Sequence, residues 1–377
     1  MHRSHVIRMY PTKEQEVMLL KTAGTARYAY NWALATWKDM YAAWMEDHNN
    51  TKPSAFGLIN MWTKSKPEWA AETAHCAQQH AIMNLGKAFQ NLWRGTGRYP
   101  TFHKKGRKDS FYIGNDKGAM KQSGTRWLFR CPNVGWVKLA ETPRFQGKIM
   151  SYTVSHYADQ WHVAIQYNLS ETEDKDCLNP TSVVGIDVGL KHIAVASDGI
   201  VCDAPASLKR LDAKLKKAQQ AITKKQKGSN NRAKALLKKQ RIQNKINNIR
   251  KDVTHKFTSA ITKNHGIVVT ENLHIQEMKD KAQYKSLKRS FATSMMGIIL
   301  FQLSYKALEH HKVDRFYPST KRCSSCGHVK DHVDLGERTY VCEHCGAVID
   351  RDLNAALNLK NAGPVRPEVP VDSAASR

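Results

Sequence analysis

The sequence predicts an α+β chain of several domains, and three observations carry that expectation. Its 377 residues exceed what one core usually serves, at roughly 150 residues per domain. From about 100 to 172, short alternating apolar runs (FYI, WLFR, WVKL, YTVSHY, WHVAIQYNL) are separated by Gly, Asn, Pro and Asp. That is the pattern of an antiparallel β-barrel or sandwich. In the second half, strand-like runs and helix-period stretches follow one another and end in four paired cysteines.

Taken in order, residues 2–10 (HRSHVIRMY) alternate as a strand that joins the later sheet, which makes the helices of 12–95 an insertion into it. Pro11 interrupts, and Thr12 with Gln15 forms a capping box for a helix beginning at Lys13. That helix and a successor run through Tyr30 and Trp37. A third spans about 72–94, where Ala77, Ala81, Leu85, Ala88 and Leu92 recur at helical spacing. The polar stretch 46–68, with Pro53 and Pro67, receives no element. ETEDKDCLNP (171–180) reads as a linker. Beyond it, VVGIDVGLKHIAVAS holds two β runs joined by Gly-Leu-Lys. Leu208, Leu211, Leu215, Ala218 and Ile222 form one stripe, and Ala235, Ile242, Ile246, Ile249, Val253 and Phe257 another. With GSNN (228–231) as the break, this is a helical hairpin with an apolar seam and a basic outer face. A strand (GIVVTE, 266–271), a helix around 289–309, a strand (KVDRFY) and the cysteine segment follow. The helix DRDLNAALNLK precedes a Pro- and Val-rich tail that reads as disordered.

Charge narrows the function classes. Lys plus Arg exceed Asp plus Glu by 59 − 33 = +26. From Lys209 to Lys251 there are 16 Lys and Arg against one acid, Asp212. A general solubilising surface would spread its lysines, so this concentration points to a polyanion-binding face, nucleic acid before acidic membrane. Hydrophobic content of 41% argues against wholesale disorder. No run of 18 apolar residues suggests a membrane span, and MHRSHVIRMYP lacks the apolar core of a signal peptide. The expectation is a protein that stays where it is made.

Of eight cysteines, Cys76, Cys131, Cys177 and Cys202 are scattered and read as reduced thiols. Cys323-Ser-Ser-Cys326 and Cys342-Glu-His-Cys345 are two C-x-x-C knuckles with 15 residues between them. Facing knuckles present four thiolates to one zinc ion with no open position, a structural and not a water-activating site. His328, His332 and His344 then read as surface residues and not ligands.

In so basic a chain, acids inside apolar segments stand out. Asp187 ends a buried-looking strand before a glycine turn, Glu271 ends the strand GIVVTE, and Asp350 and Asp352 open the last helix. Each alone is explicable as a turn residue or an N-cap. Together, in a polyanion-binding protein, they suit a pair of Mg²⁺ ions that cleave a phosphodiester.

GIDVGLKHIAVAS, VVTENL and DRDLNAALNL, with FYPSTKRCSSCG and the knuckles, resemble the RuvC-like nuclease domain of the TnpB family, insertion-sequence proteins related to compact type V CRISPR effectors. MYPTKEQEVML, ARYAYNWAL and GRYPTFHKK resemble the same family, so the likeness covers most of 1–360; residues 41–72 carry no such motif. The resemblance implies a wedge β-barrel (1–11 and 96–172) with an inserted helical recognition lobe (12–95). It implies a ribonuclease H-like domain (181–320 and 347–362) bearing the basic hairpin (207–262), a zinc ribbon (321–346) and a disordered tail (363–377). Asp187, Glu271 and Asp352 would be catalytic and hold two Mg²⁺, with Asp350 the second choice for the third acid. Cys323, Cys326, Cys342 and Cys345 would hold zinc. None of the three acids is substituted, unlike in nuclease-dead relatives. The implied activity is RNA-guided DNA cleavage beside a short adjacent motif, by one copy bound to a guide RNA from the transposon end, in a prokaryotic cytoplasm. A nuclease-silent RNA-guided repressor and a strand-transfer transposase are the alternatives. For gripping an RNA–DNA duplex the candidates are Lys104, Lys105 and Arg107, then Lys216, Lys217, Lys224, Lys225, Lys238, Lys239 and Arg241 on the hairpin. Gln78, Gln79 and His80 are candidates for approaching DNA bases.

Overall fold

The structure is a computed structural model that describes residues 2–106, 109–169, 177–334 and 336–364. The chain divides into two compact units, Met1–Glu171 and Thr172–Arg377. Arg107, most of the expected linker and most of the expected tail (365–377) lie outside the described residues. Among those described, no helix is long and apolar enough to cross a membrane.

In the first unit β1 (His2–Tyr10) buries His5, Ile7 and Met9 and exposes the residues between them. The capping box forms as the sequence predicts: Thr12 Oγ1 accepts from Gln15 N, and Gln15 Oε1 from Thr12 N. It starts α1 (Lys13–Glu46), one uninterrupted helix that carries both Tyr30 and Trp37 where the sequence suggested two. The stretch left without an element contains α2 (Ala55–Ser65), capped by Ser54 and burying Leu58 and Trp62. A 3-10 turn (Glu68–Glu72) leads to α3 (His75–Trp93). These helices share a core of Ala33, Leu34, Trp37, Trp62, Ile82, Leu85 and Phe89.

The strands that follow are β2 (Asp109–Gly114), β3 (Ala119–Ser123), β4 (Arg126–Cys131), β5 (Gly135–Leu139), β6 (Lys148–Tyr157) and β7 (Gln160–Asn168). With β1 they form one antiparallel sheet in the order β2-β6-β7-β1-β5-β4-β3. The N-terminal strand therefore does join the later sheet, and the helices are inserted between β1 and β2. The expected barrel does not close among the described residues. Its two end strands, β2 and β3, exchange no ladder bonds, and β3 ends in the exposed polar residues Lys121, Gln122 and Ser123. Leu19, Ala23 and Ala26 of α1 and Ala77 of α3 belong to the sheet's core instead, so helices cover what closure would have covered.

The second unit holds β8 (Val183–Val188), β9 (Ala194–Ala196), β10 (Val201–Cys202), α4 (Ala206–Thr223), α5 (Asn230–Asn264) and β11 (Ile267–Glu271). After them come α6 (Ile275–Lys281), α7 (Lys285–Thr293), α8 (Met296–Lys306), β12 (Glu309–Val313), β13 (Thr339–Val341), β14 (Val348–Asp350) and α9 (Arg351–Asn361). Five strands form a sheet in the order β10-β9-β8-β11-β12, with β9 antiparallel to β8 and both β11 and β12 parallel to it. The hairpin seam is as expected: Leu208, Ala218, Ile222, Ile246 and Phe257 are buried. Arg232 closes its turn by donating to the Ile222 and Lys225 carbonyls at the end of α4. Two expectations shift. The helix around 289–309 is split between α7 and α8, and the strand read at 312–317 lies at Glu309–Val313, because Asp314 accepts from Phe316 N and turns the chain.

Where α9 crosses β8, a Cβ on Gly185 would lie 2.0 Å from Ala356 O and 2.4 Å from Lys360 N. Only glycine permits that approach. Gly185→Ala should cost about 1–3 kcal/mol or more through overpacking, lowering the melting midpoint by about 2–4 °C per kcal/mol for a unit of this size. Thermal melting of the purified protein checks this, and an unchanged midpoint would contradict so close a contact.

Candidate metal centres

The first centre is built by register. Side chains alternate along β8, so Val184, Ile186 and Val188 enter one core while Gly185 and Asp187 face α9. Asp187 lies two residues beyond Gly185, about 6.6 Å along the strand. Asp352 lies four residues before Ala356 on α9, about 6 Å along the helix. Strand and helix therefore step from one shared contact to their acids over nearly equal distances. On the other side, β11 pairs in parallel with β8, Thr270 opposite Ile186. Glu271 follows immediately and lies level with Asp187 on a neighbouring strand, at a strand spacing of about 4.8 Å.

The electrostatics record the convergence. Burial pushes the Asp187 carboxyl up to about 7, and the charges of Glu271 and then Asp352 push it the same way, with Arg351 opposing. Burial also raises Glu271, while a hydrogen bond from the Ser319 hydroxyl to its Oε1 lowers it. Asp352 is paired with Arg351 at 3.3 Å, both side chains about 15% exposed or less. Asp350 goes elsewhere: it is the N-cap of α9, its Oδ1 accepting from Asp352 N and Leu353 N at 3.0 Å. Between the two aspartates, the geometry thus groups Asp352 with Asp187. Three partly buried carboxylates against one guanidinium leave negative charge that a hard cation fits, through oxygen ligands.

The second centre is tighter. Among the described residues, Cys323, Cys326, Cys342 and Cys345 are the one group of three or more such side chains whose ligand atoms lie within 4.8 Å of one another. Cys323 and Cys345 Sγ are 3.7 Å apart, Cys326 and Cys342 Sγ 3.6 Å. The edge of a tetrahedron with zinc–sulfur arms of about 2.3 Å is about 3.8 Å. The knuckles repeat one turn: Gly327 N donates to Cys323 O and Gly346 N to Cys342 O, both 3.0 Å, each glycine at positive φ. Backbone N–H groups of Cys345 and His344 bring the Cys342 thiol down to about 6, toward the thiolate a metal needs. This set could hold zinc. His328 and His344 stack on each other and His332 pairs with Asp334, outside the thiol set as expected.

Three residues not singled out in the sequence join these centres. Asn354 and Asn358, both fully buried on α9, donate to Arg322 O, and Asn358 also to Ser319 O. Ser319, equally buried, holds Glu271. A signal existed: two asparagines at i, i+4 beside Ala355, Ala356 and Leu359 are poor helix formers on a face that must be buried.

Of the candidate nucleic-acid contacts, Lys104, Lys105, Lys216, Lys217, Lys224, Lys238 and Arg241 are exposed, and Lys225 and Lys239 partly so. Gln78 is a correction. It is fully buried, accepting from Trp62 Nε1 at 2.9 Å and donating to Ala70 O and Thr73 Oγ1, so it is not available to DNA. Gln79 and His80 are partly exposed, His80 against the Tyr112 ring.

Three family models match the chain. Residues 165–282 match OrfB_IS605, described as a probable transposase, and residues 297–359 match a Cas12f1-like TNB domain. Residues 1–44 match a model described as a helix-turn-helix domain, although here they hold β1 and most of the unbroken α1. "Putative RNA-guided DNA endonuclease InsQ" of Escherichia coli K12 is 28% identical over 374 residues, covering 94% of this chain and 90% of that protein. By these matches the chain resembles the OrfB_IS605, or TnpB, family. A second relative, "Putative RNA-guided DNA endonuclease" of Streptomyces pristinaespiralis, is 29% identical over 96% of this chain and 89% of that protein. In fold, the chain resembles Cas12f1 from its complex with guide RNA and target DNA, with a TM-score of 0.57 at 14% identity over 96% of this chain and 99% of that one.

The raised Asp187 pKa has a consequence for stability. The unfolded chain ionises Asp187 near 3.8 and the folded chain near 7, so between these values the folded state holds the extra proton. Stability of protein prepared without added Mg²⁺ should fall as pH rises through that window and level off above it. Melting midpoints from pH 4.5 to 8 check this. Asp187→Asn should abolish that component, and an identical pH profile in the variant would refute it.

Proposed function

We propose that this chain is an RNA-guided, Mg²⁺-dependent DNA endonuclease of an insertion sequence. Its guide RNA would come from the transposon end, and its target is double-stranded DNA beside a short adjacent motif. It acts as a single copy within the ribonucleoprotein. The observation that carries this reading is the meeting of Asp187, Glu271 and Asp352 from two parallel strands and one helix. The relatives' names and the charge of +26 agree with it.

In this reading the five-stranded sheet is the ribonuclease H-like core, its first strand β8 lying between β9 and β11. The antiparallel sheet of the first unit is the wedge, and α1–α3 are the recognition lobe. Asp187, Glu271 and Asp352 would hold two Mg²⁺ ions, whose chemistry when bound would be to activate a water and stabilise the leaving oxygen. Arg351 pairs with the Asp352 carboxylate at 3.3 Å, which restrains that side chain. The four thiolates would hold zinc, which would fold their segment without taking part in cleavage. Exposed lysines of the α4–α5 hairpin grip the guide–target duplex by its phosphates, while base pairing reads sequence.

The test uses ribonucleoprotein made with the transposon-end RNA, and plasmids carrying the matching target beside a randomised flank. Asp187→Ala, Glu271→Ala and Asp352→Asn should each lower cutting by at least about a hundredfold, a few kcal/mol of transition-state stabilisation, with guide binding retained. Asp350→Asn should cut normally, since asparagine caps a helix as well as aspartate does. Full cutting by Asp352→Asn, or binding without cutting by the unaltered protein, would sink the proposal.

A further inference from the structure

We propose that Ser319 is a positioning residue for Glu271, and that the first cysteine knuckle fixes Ser319, so that metal binding by the three acids depends on the fold of the zinc segment. This rests on the reading of Glu271 as a metal ligand.

The path is short and buried. The Ser319 hydroxyl donates to Glu271 Oε1, so one carboxylate oxygen is held from the side of the cysteine segment. Ser319 is only 2% exposed, so its hydroxyl has little access to bulk solvent. Its own backbone is tied twice: Ser319 N donates to Tyr317 O at 2.8 Å, and Ser319 O accepts from Asn358 Nδ2 at 2.8 Å. The same amide nitrogen of Asn358 reaches Arg322 O at 2.6 Å, and Asn354 Nδ2 reaches that carbonyl at 2.7 Å. Asn354 Oδ1 then accepts from Ser324 N, inside the first C-x-x-C turn. The Tyr317 hydroxyl closes the loop on Asn358 O at 3.2 Å. Arg322 is followed by Cys323, whose N–H is held by His328 O across the knuckle.

Two consequences separate this arrangement from ordinary packing. The knuckle's lead-in, residues 317–324, is clamped to α9, the helix that carries Asp352, and through Ser319 it reaches Glu271 on β11. One segment therefore orients acids from two different elements. A hydrogen-bond donor behind a metal ligand also sets that ligand's direction, and removing such a partner typically lowers metal affinity about 10–100-fold. A hydroxyl that served only to satisfy itself would affect stability and leave affinity alone.

The experiment measures Mn²⁺ binding to the full chain by the loss of the free-ion electron paramagnetic resonance signal, with zinc content and melting midpoint recorded for each variant. The site's share of binding is the part lost in Glu271→Gln. Ser319→Ala should weaken that share about tenfold and raise the Mg²⁺ concentration for half-maximal cutting by the ribonucleoprotein in proportion. It should keep its zinc and most of its melting midpoint. Ser319→Thr, which retains the hydroxyl, should bind within about threefold of the unaltered chain, well inside the tenfold loss. Unaltered Mn²⁺ binding in Ser319→Ala would overturn the proposal, as would a loss that appears only together with loss of zinc or that Ser319→Thr fails to rescue. Unchanged Mn²⁺ binding in Glu271→Gln would remove the reading beneath it instead, a distinct result.

Discussion

At Gly185 the backbone of a central strand and the backbone of the last helix approach so closely that any side chain would collide with Ala356 O. That contact sets the level of α9 against β8. Because a strand advances about 3.3 Å per residue and a helix about 1.5 Å, fixing one pair of positions fixes their neighbours. Two residues along the strand and four back along the helix, Asp187 and Asp352 share a face. The parallel pairing of β11 then brings Glu271 level with them. In the proposed reading, the acid site follows from where a Cβ is missing.

The cost of this arrangement is electrostatic. Carboxylates brought together in a half-buried place repel and are poorly hydrated, and Asp187 responds by holding its proton to about 7. Arg351 relieves part of the strain and the Ser319 hydroxyl part of it. The remainder is what a divalent cation would remove. The cysteine segment contributes from behind: its lead-in is clamped by Asn354 and Asn358 to the same helix that carries Asp352. A thiolate site and a carboxylate site, chemically unrelated, are thus parts of one buried hydrogen-bonded frame.

Much of this was legible in the residues because its causes are local. A capping box, an alternating strand, two apolar stripes and a pair of C-x-x-C turns depend on neighbours within a few positions, and each formed where its pattern lay. What could not be read depends on distant partners. Alternation in β1–β7 specifies a buried face but not whether the end strands meet, and helices cover that face instead of barrel closure. The helix α2 hid in a polar, proline-flanked stretch because few of its residues are buried. Gln78 was misread as a surface group, although its spacing to Ile82, Leu85 and Phe89 puts it on the buried face, where Trp62 needs an acceptor. The residues alone did not separate Asp350 from Asp352; the resemblance put Asp352 first, and the structure engages Asp350's carboxylate with the backbone of α9.

The most direct measurement is anomalous diffraction from crystals of the protein soaked in Mn²⁺. If the Gly185 contact sets the site, two Mn²⁺ peaks about 3.5–4 Å apart will lie among the carboxylates of Asp187, Glu271 and Asp352, with none at Asp350. Peaks on Asp350, or ions that leave Asp352 out of reach, would contradict the placement of α9 as the element that completes the centre.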